Sequence, residues 1–186
     1  ISSVCIEDKT FPKQNSLLEN GKNDLLSEKE FVAKILAANQ AKQNKDFMII
    51  ARVEALISGL GMKEALKRAT AYEKAGADAI LIHSKQKTPD EIFEFADSWN
   101  GNVPVVVIPT TYDLVRIQDL VSHDIKMVIY ANQTFRAAYS AMSRLLKELI
   151  NADRISDVKE KMSSMEEVFR LQEMYDIKKQ EKIIEK

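Results

Sequence analysis

The sequence predicts an α/β protein: a (β/α)8 barrel of TIM type, of which this chain supplies the last five βα units and a C-terminal helix. Two observations carry this reading. Five near-continuous apolar runs alternate with helical stripes, the pattern of a parallel sheet covered by helices. Polar residues stand at the C-terminal end of every run, the edge where barrels keep their functional groups. An open doubly wound sheet has the same alternation, and the recurring polar ends favour the barrel. A whole barrel takes about 250 residues and eight strands. Five strands in 186 residues therefore place three strands before Ile1. The chain opens inside an apolar run without an initiator Met, which predicts a piece of a longer protein. Residues 1–186 read as the C-terminal portion of one barrel domain, with 10–26 a gating loop and 164–186 a C-terminal helix.

Val4 to Ile6 is the first apolar run and ends in Glu7-Asp8-Lys9. Thr10 to Leu26 is polar and turn-rich, with Pro12, Asn15, Asn20 and Gly21. A connection that long is uncommon in a compact domain and is often a lid. Ser27 and Glu30 have the spacing of a capping box, and Phe31, Val32, Ile35 and Leu36 follow at helical period. Phe47 to Ala51 reads as a fully buried strand that ends at Arg52. Beyond Gly59 and Gly61, Ala65, Leu66, Ala69 and Tyr72 share a helix face, and Gly76 stands where a C-terminal cap belongs. Ala79 to Ile82 is the next strand, ending at His83-Ser84. Thr88, Pro89 and Glu91 together mark a helix start, continued by Ile92, Phe95, Ala96 and Trp99. Val105 to Ile108 ends at Pro109-Thr110-Thr111, and a short helix lies around Leu114 to Val121. Met127 to Tyr130 is the last strand, ending at Ala131-Asn132. A long helix follows with Phe135, Ala138, Tyr139, Met142, Leu145, Leu146 and Leu149. Ser164 and Glu167 cap a final helix with Val168, Leu171 and Tyr175, whose charged tail from Lys178 to Lys186 reads as a solvated end.

Composition removes several function classes. Twenty-seven basic and 28 acidic residues leave a net charge of -1. That argues against a nucleic-acid surface and against attraction to an anionic membrane. An apolar content of 45% provides for a core, and 30% charged residues suit an ordinary soluble domain, expected in the cytoplasm. The single cysteine, Cys5, excludes an internal disulfide and a Cys-based zinc site. No apolar run approaches the roughly 20 residues of a membrane span.

The strand ends supply the candidate site. Glu7 offers a carboxylate to a metal ion, directly or through water, or else belongs to a solvated turn. Lys13, Asn15 and Ser16 lie in the polar loop, where Lys and Asn suit a phosphoryl oxygen once the loop closes. Composition alone would call that loop a surface segment. Arg52 emerges from a buried strand and must have an anionic partner. Glu54 provides one internally, so a structural ion pair and a substrate clamp are both open. His83, followed by Ser84, could serve as general acid or base or hydrogen-bond a phosphoryl group, or be structural. Asn132 binds or turns the chain, Cys5 reads as a packed core residue, and His123 lies at the opposite end of the sheet. Gly59 and Gly61 match neither a Walker loop nor a dinucleotide fingerprint.

Five stretches are similar to one family: Cys5-Ile6-Glu7-Asp8-Lys9, Phe11-Pro12-Lys13-Gln14-Asn15-Ser16, Ala51-Arg52-Val53-Glu54-Ala55, the run from Ala75 to Ser84, and Glu167-Val168-Phe169-Arg170-Leu171-Gln172. Their order and spacing resemble the phosphoenolpyruvate mutase and phosphonopyruvate hydrolase branch of the isocitrate lyase superfamily, from Ile1 to about Gln172. The resemblance implies a (β/α)8 barrel with Mg2+ at the C-terminal ends of the strands. It also implies a dimer or tetramer in which partner subunits exchange a C-terminal helix. It assigns Glu7 to the metal through water, Arg52 and His83 to the migrating phosphoryl group, and Lys13 and Asn15 to a gate over the substrate. The family's direct metal-binding aspartate and its substrate-carboxylate residues come from strands before Glu7.

Isocitrate-type lyases carry a catalytic cysteine in this loop, and here there is none. Phosphonopyruvate hydrolases resemble the chain elsewhere, including Lys87-Thr88-Pro89-Asp90-Glu91-Ile92, but tend to have Thr where Asn15 stands. The resemblance therefore favours the interconversion of phosphoenolpyruvate and phosphonopyruvate. Hydrolysis of phosphonopyruvate is the alternative, and an incomplete fragment with an assembly role is a third reading.

Overall fold

The computed structural model describes residues 2–18, 21 and 23–184, with the side chain of Lys182 excepted. Asn20 of the expected gating loop and the last two residues of the expected C-terminal helix lie outside them. The chain divides into two compact units, Ile1–Ala131 and Asn132–Lys186.

The first unit holds five strands: β1 (Ser3–Glu7), β2 (Met48–Val53), β3 (Ala79–Ile82), β4 (Val105–Val107) and β5 (Ile125–Val128). Four helices connect them: α1 (Glu28–Ala41), α2 (Gly61–Lys74), α3 (Asp90–Ser98) and α4 (Ile117–Ser122). All neighbouring strands are parallel, in the order β1-β2-β3-β4-β5. A doubly wound sheet reverses its order at a switch point. This sheet never does, so each crossover steps the same way, as in a barrel.

Alternation along the strands sorts the side chains onto two faces. Ala51, Val53, Ile80, Ile82, Val105 and Val107 pack with Phe31 and Ile35 of α1, Ala65, Ala69 and Tyr72 of α2, and Ile92 and Phe95 of α3. Phe31 meets Tyr72 edge to face, with ring centroids 4.6 Å apart. Ile50, Ala79, Leu81, Val106 and Ile108 form a smaller cluster on the other face. The same alternation carries Arg52 (after Ile50) and His83 (after Leu81) onto that second face. Glu7 joins them because it pairs in register with Arg52.

Several boundaries differ from the sequence reading. β2 runs through Val53, so Arg52 lies inside the strand and Glu54 is the first residue beyond it. β5 begins two residues before Met127 and ends at Val128; its ladder to β4 shifts register between the Val105–Ile125 and Val106–Met127 pairs. α4 starts only at Ile117, leaving Leu114 exposed in the link. α3 is not capped by a side chain on Thr88. Thr88 Oγ1 donates to Asp90 Oδ2 instead, and Glu91 accepts from the buried Ser84 hydroxyl. Cys5, expected in the core, is exposed on β1, whose described neighbour is β2 alone.

The Ser27 capping box is present at the start of α1: Glu30 N–H donates to Ser27 Oγ at 3.2 Å, and Ser27 N–H donates to Glu30 Oε2 at 2.9 Å. Ser27→Ala is expected to cost about 1 kcal/mol, read as a lower urea midpoint at unchanged slope.

The second unit contains α5 (Gln133–Leu149), a 3-10 turn (Ile155–Lys161), α6 (Met165–Leu171) and α7 (Met174–Ile184). The single C-terminal helix expected from 164 onward is therefore two. Ser164 caps α6 as expected, and Glu173, with φ of 55°, breaks the helix before α7. Asn132 caps α5 without a side-chain bond to the helix. On α5, Phe135, Tyr139, Met142 and Leu146 form an exposed apolar stripe. Among the described residues, no helix is long and apolar enough to cross a membrane.

Candidate active site

The C-terminal ends of β1, β2 and β3 bring together an ionic cluster. Arg52 is its centre. Its Nε lies 2.6 Å from Glu54 Oε1 and 3.2 Å from Glu7 Oε2. Its Nη2 donates to Ser16 Oγ at 3.3 Å and lies 2.7 Å from His83 Nδ1. His83 Nδ1 is also 3.0 Å from Glu54 Oε1. One nitrogen cannot accept from Arg52 and donate to Glu54 in the same tautomer, so the Arg52–Glu54 pair governs the imidazole in either case. Nη1 of Arg52 and Nε2 of His83 have no partner among the described residues.

Glu54 is fully buried, which a carboxylate tolerates only with several donors. Its Oε2 accepts from Ser16 Oγ and lies 3.9 Å from the ammonium of Lys9. Lys9 is itself buried and donates to Gln14 C=O at 2.8 Å and to Ser16 Oγ at 3.2 Å. Burial alone would raise the Glu54 carboxyl. Contact with His83 and Arg52 outweighs it and lowers the group to about 2.

This shift has a sign. A depressed carboxyl contributes stability that is complete above its ordinary value of 4.5 and is lost as pH falls toward 2. The contribution is about 3 kcal/mol. Glu54→Gln is therefore expected to flatten the acid limb of the stability curve below pH 4.5. Urea midpoints measured in steps from neutral pH downward will show it.

Behind the cluster, on the helix-facing side of the sheet, Asp8 is fully buried. Its Oδ1 accepts the Glu54 N–H at 2.9 Å. Its Oδ2 accepts from Arg68 Nη1 at 3.0 Å and from the Tyr72 hydroxyl at 2.8 Å. Arg68 Nη1 also donates to Leu26 C=O at 3.0 Å. The same residues close the neck of the loop: Leu26 N–H donates to Asp8 C=O at 2.9 Å, and Thr10 N–H to Asp24 C=O at 3.0 Å.

Of the site residues expected from sequence, Glu7, Lys13, Ser16, Arg52 and His83 form one connected network. Lys13 is exposed and pairs with Glu7 Oε1 at 2.9 Å. Asn15 stands outside it, with Oδ1 turned back onto the Leu17 N–H at 2.9 Å. Ser84 lies on the helix-facing side, where its hydroxyl donates to Glu91 and accepts from Gln86 N–H at 3.0 Å. His123 stacks on Phe93 at a centroid distance of 3.9 Å and contacts Asp97 at 2.7 Å, far along the chain from the cluster. Five participants went unassigned in the sequence: Asp8, Lys9, Arg68, Tyr72 and, as the hub, Glu54. The available signal was Arg68 itself, a cation on the buried face of α2 one turn before Tyr72.

Among the described residues, no three His, Cys, Asp or Glu side chains converge as a metal cage. Mg2+ takes six oxygen ligands, and Glu7 is the one carboxylate of the cluster with residual exposure. Already paired with Arg52 and Lys13, it fits a contact through metal-bound water, not a coordination sphere.

Fold and cluster together define a barrel-type α/β protein with an ionic cluster of Glu7, Lys13, Ser16, Arg52, Glu54 and His83 at its strand ends. Residues 1–150 match the family model described as phosphoenolpyruvate phosphomutase, and the chain belongs to that family. It is 46% identical over 182 residues to the phosphoenolpyruvate phosphomutase of Tetrahymena pyriformis, covering 98% of this chain and 61% of that protein. The crystal structure of the phosphoenolpyruvate phosphomutase from Streptomyces platensis subsp. rosaceus superposes with a TM-score of 0.94 at 41% identity, over 100% of this chain and 64% of that one. A phosphonopyruvate hydrolase solved in complex with oxalate and Mg2+ superposes with a TM-score of 0.86 at 43% identity, over 95% and 60% respectively. The chain thus spans about three-fifths of the length of these relatives.

Proposed function

We propose that the intact protein interconverts phosphoenolpyruvate and phosphonopyruvate, moving the phosphoryl group between the enol oxygen and C3 with Mg2+. The observation that carries this reading is the pairing of Arg52 with His83. Their facing atoms are 2.7 Å apart, and each keeps an outer nitrogen without a partner among the described residues, in a chain of this family. Phosphoryl transfer through a metaphosphate-like state needs positioning and charge stabilisation more than covalent help. Mg2+, when bound, steadies the enolate of pyruvate.

The chain's own residues do the rest. Arg52 Nη1 and His83 Nε2, which carries the proton when Nδ1 accepts from Arg52, are the atoms left to hold the phosphoryl oxygens. Glu7 would contact Mg2+ through water; the use of Mg2+ is in keeping with the hydrolase solved in complex with oxalate and Mg2+. Lys13 holds the loop toward Glu7. Asn15 releases Leu17, brings its amide to the phosphoryl group and keeps water out. Ser16 seats the loop, whereas Ser84, turned to the helix side against Glu91, stands outside the site. We also propose that residues 1–186 are one portion of a cytoplasmic barrel enzyme. It assembles as a dimer or tetramer through the apolar stripe of α5 and exchange of the C-terminal helices, which light scattering of the intact protein will read as mass.

Hydrolysis of phosphonopyruvate to pyruvate and phosphate is the second reading, favoured by the 43% identity to the solved hydrolase. The two part on water. We expect 31P NMR of the protein with phosphonopyruvate and Mg2+ to show phosphoenolpyruvate growing in. Inorganic phosphate without phosphoenolpyruvate would establish the hydrolase. Asn15→Thr shortens the side chain and removes the amide, so the ratio of phosphate to phosphoenolpyruvate is expected to rise about tenfold. An unchanged ratio would remove Asn15 from the argument.

A further inference from the structure

We propose that Glu54 is a positioning residue that joins loop closure to the arrangement of Arg52 and His83, one carboxylate oxygen serving each. Oε1 meets Arg52 Nε at 2.6 Å and His83 Nδ1 at 3.0 Å. Oε2 takes the Ser16 hydroxyl from the loop and faces Lys9 Nζ at 3.9 Å. The inference rests on the strand ends being a phosphoryl-binding site.

The geometry allows Glu54 little freedom. Its backbone N–H is held by Asp8, which Arg68 and Tyr72 fix against α2. Its side chain is fully buried. Glu7 also touches Arg52, at 3.2 Å, but shares its charge with the exposed Lys13. Among the described residues outside the loop, Glu54 alone touches the arginine, the histidine and the loop. When the loop leaves, Oε2 loses the Ser16 hydroxyl, and Lys9 loses Ser16 and the Gln14 carbonyl. Each then keeps only the other at 3.9 Å, and a buried acceptor and a buried ammonium that lose hydrogen bonds disfavour the open state. Closure returns Ser16 to a position where it also accepts from Arg52 Nη2. The loop thereby completes the shell that holds the phosphoryl-binding cation. An isosteric amide keeps the shape of Glu54 but loses the charge that Lys9 and Arg52 face.

The test uses the intact protein and two independent readouts: hydrogen exchange and steady-state kinetics. Glu54→Gln is expected to speed exchange of the loop amides at Leu17 and Leu18 about tenfold, with β3 amides unchanged. The same variant is expected to lower kcat about 10²-fold with a smaller change in KM, and Glu54→Asp is expected to recover part of it. Ser16→Ala is expected to loosen the loop at unchanged Tm. Wild-type loop exchange in both Glu54→Gln and Ser16→Ala overturns the proposal, as does a kcat for Glu54→Gln within threefold of wild type. Should Glu54→Gln fail to fold, loop exchange in Ser16→Ala decides alone. A wild-type protein that turns over neither substrate would overturn the proposed function instead, and the exchange experiment would still decide whether Glu54 seats the loop.

Discussion

Arg52→Ala in the intact protein is expected to lower turnover of phosphonopyruvate by about 10³-fold or more, the range in which arginines that stabilise phosphoryl transfer contribute. Four neighbours hold this guanidinium: Glu7 and Glu54 on Nε, Ser16 and His83 on Nη2. On the proposed function, the remaining Nη1 would take the phosphoryl group. Arg52→Lys is expected to recover less than a tenth of the loss. A lysine carries the charge as a point, whereas the site uses a planar fork that reaches carboxylate, hydroxyl and imidazole at once. Because Arg52 belongs to β2 and keeps Glu54 neutralised, both variants need a thermal melt beside the 31P rate. An Arg52→Ala protein that melts normally and works within tenfold of wild type would remove Arg52 from the phosphoryl site.

The residues that sequence reading located well are those whose signals are local. β3 was legible to the residue, because a four-residue apolar run admits one placement between Asp78 and His83. The Ser27 and Ser164 caps were legible because their partners are three residues away. Arg52 and His83 were legible as chemistry because a charged or titratable side chain that closes a buried apolar run must meet something. The face they share followed from period-two alternation once the register of β1 on β2 was known. What sequence could not show is the second layer. Asp8 reaches Glu54 across 46 positions, Arg68 across 60 and Tyr72 across 64. No local pattern encodes such a pairing. Lys9 looked like a solvated strand end and proves buried, because the loop folds back and its Gln14 carbonyl and Ser16 hydroxyl take the ammonium. Ser84 looked like a neighbour of His83 and is one in sequence only. Alternation turns it to the helix side, against Glu91.

Asp8→Ala is expected to cost about 3–5 kcal/mol of stability, the largest effect on folding foreseen here. The reason is not that the Asp8–Arg68 pair is strongly favourable. Burial pushes the Asp8 carboxyl above its ordinary range, although the Glu54 amide, Tyr72 and Arg68 all act to lower it. Ionising Asp8 in place therefore has a desolvation cost that its partners do not fully offset. The penalty of the mutation lies in what it strands. Arg68, nearly buried, keeps Glu64 at 2.9 Å but loses its second carboxylate. The Tyr72 hydroxyl and the Glu54 N–H lose their acceptor. Asp8→Asn should fare little better, since its amide turns a donor toward Arg68 and Tyr72, which are donors themselves. Removing both charges is a different matter. Asp8→Leu with Arg68→Met leaves no unpaired ion, so the double variant is expected to be more stable than either single one. Urea unfolding of the four proteins tests this as a cycle. Strict additivity would mean that Asp8 and Arg68 act separately. Recovery of stability in the double variant, with turnover still depressed, would assign Asp8 its second role of holding Glu54 in place.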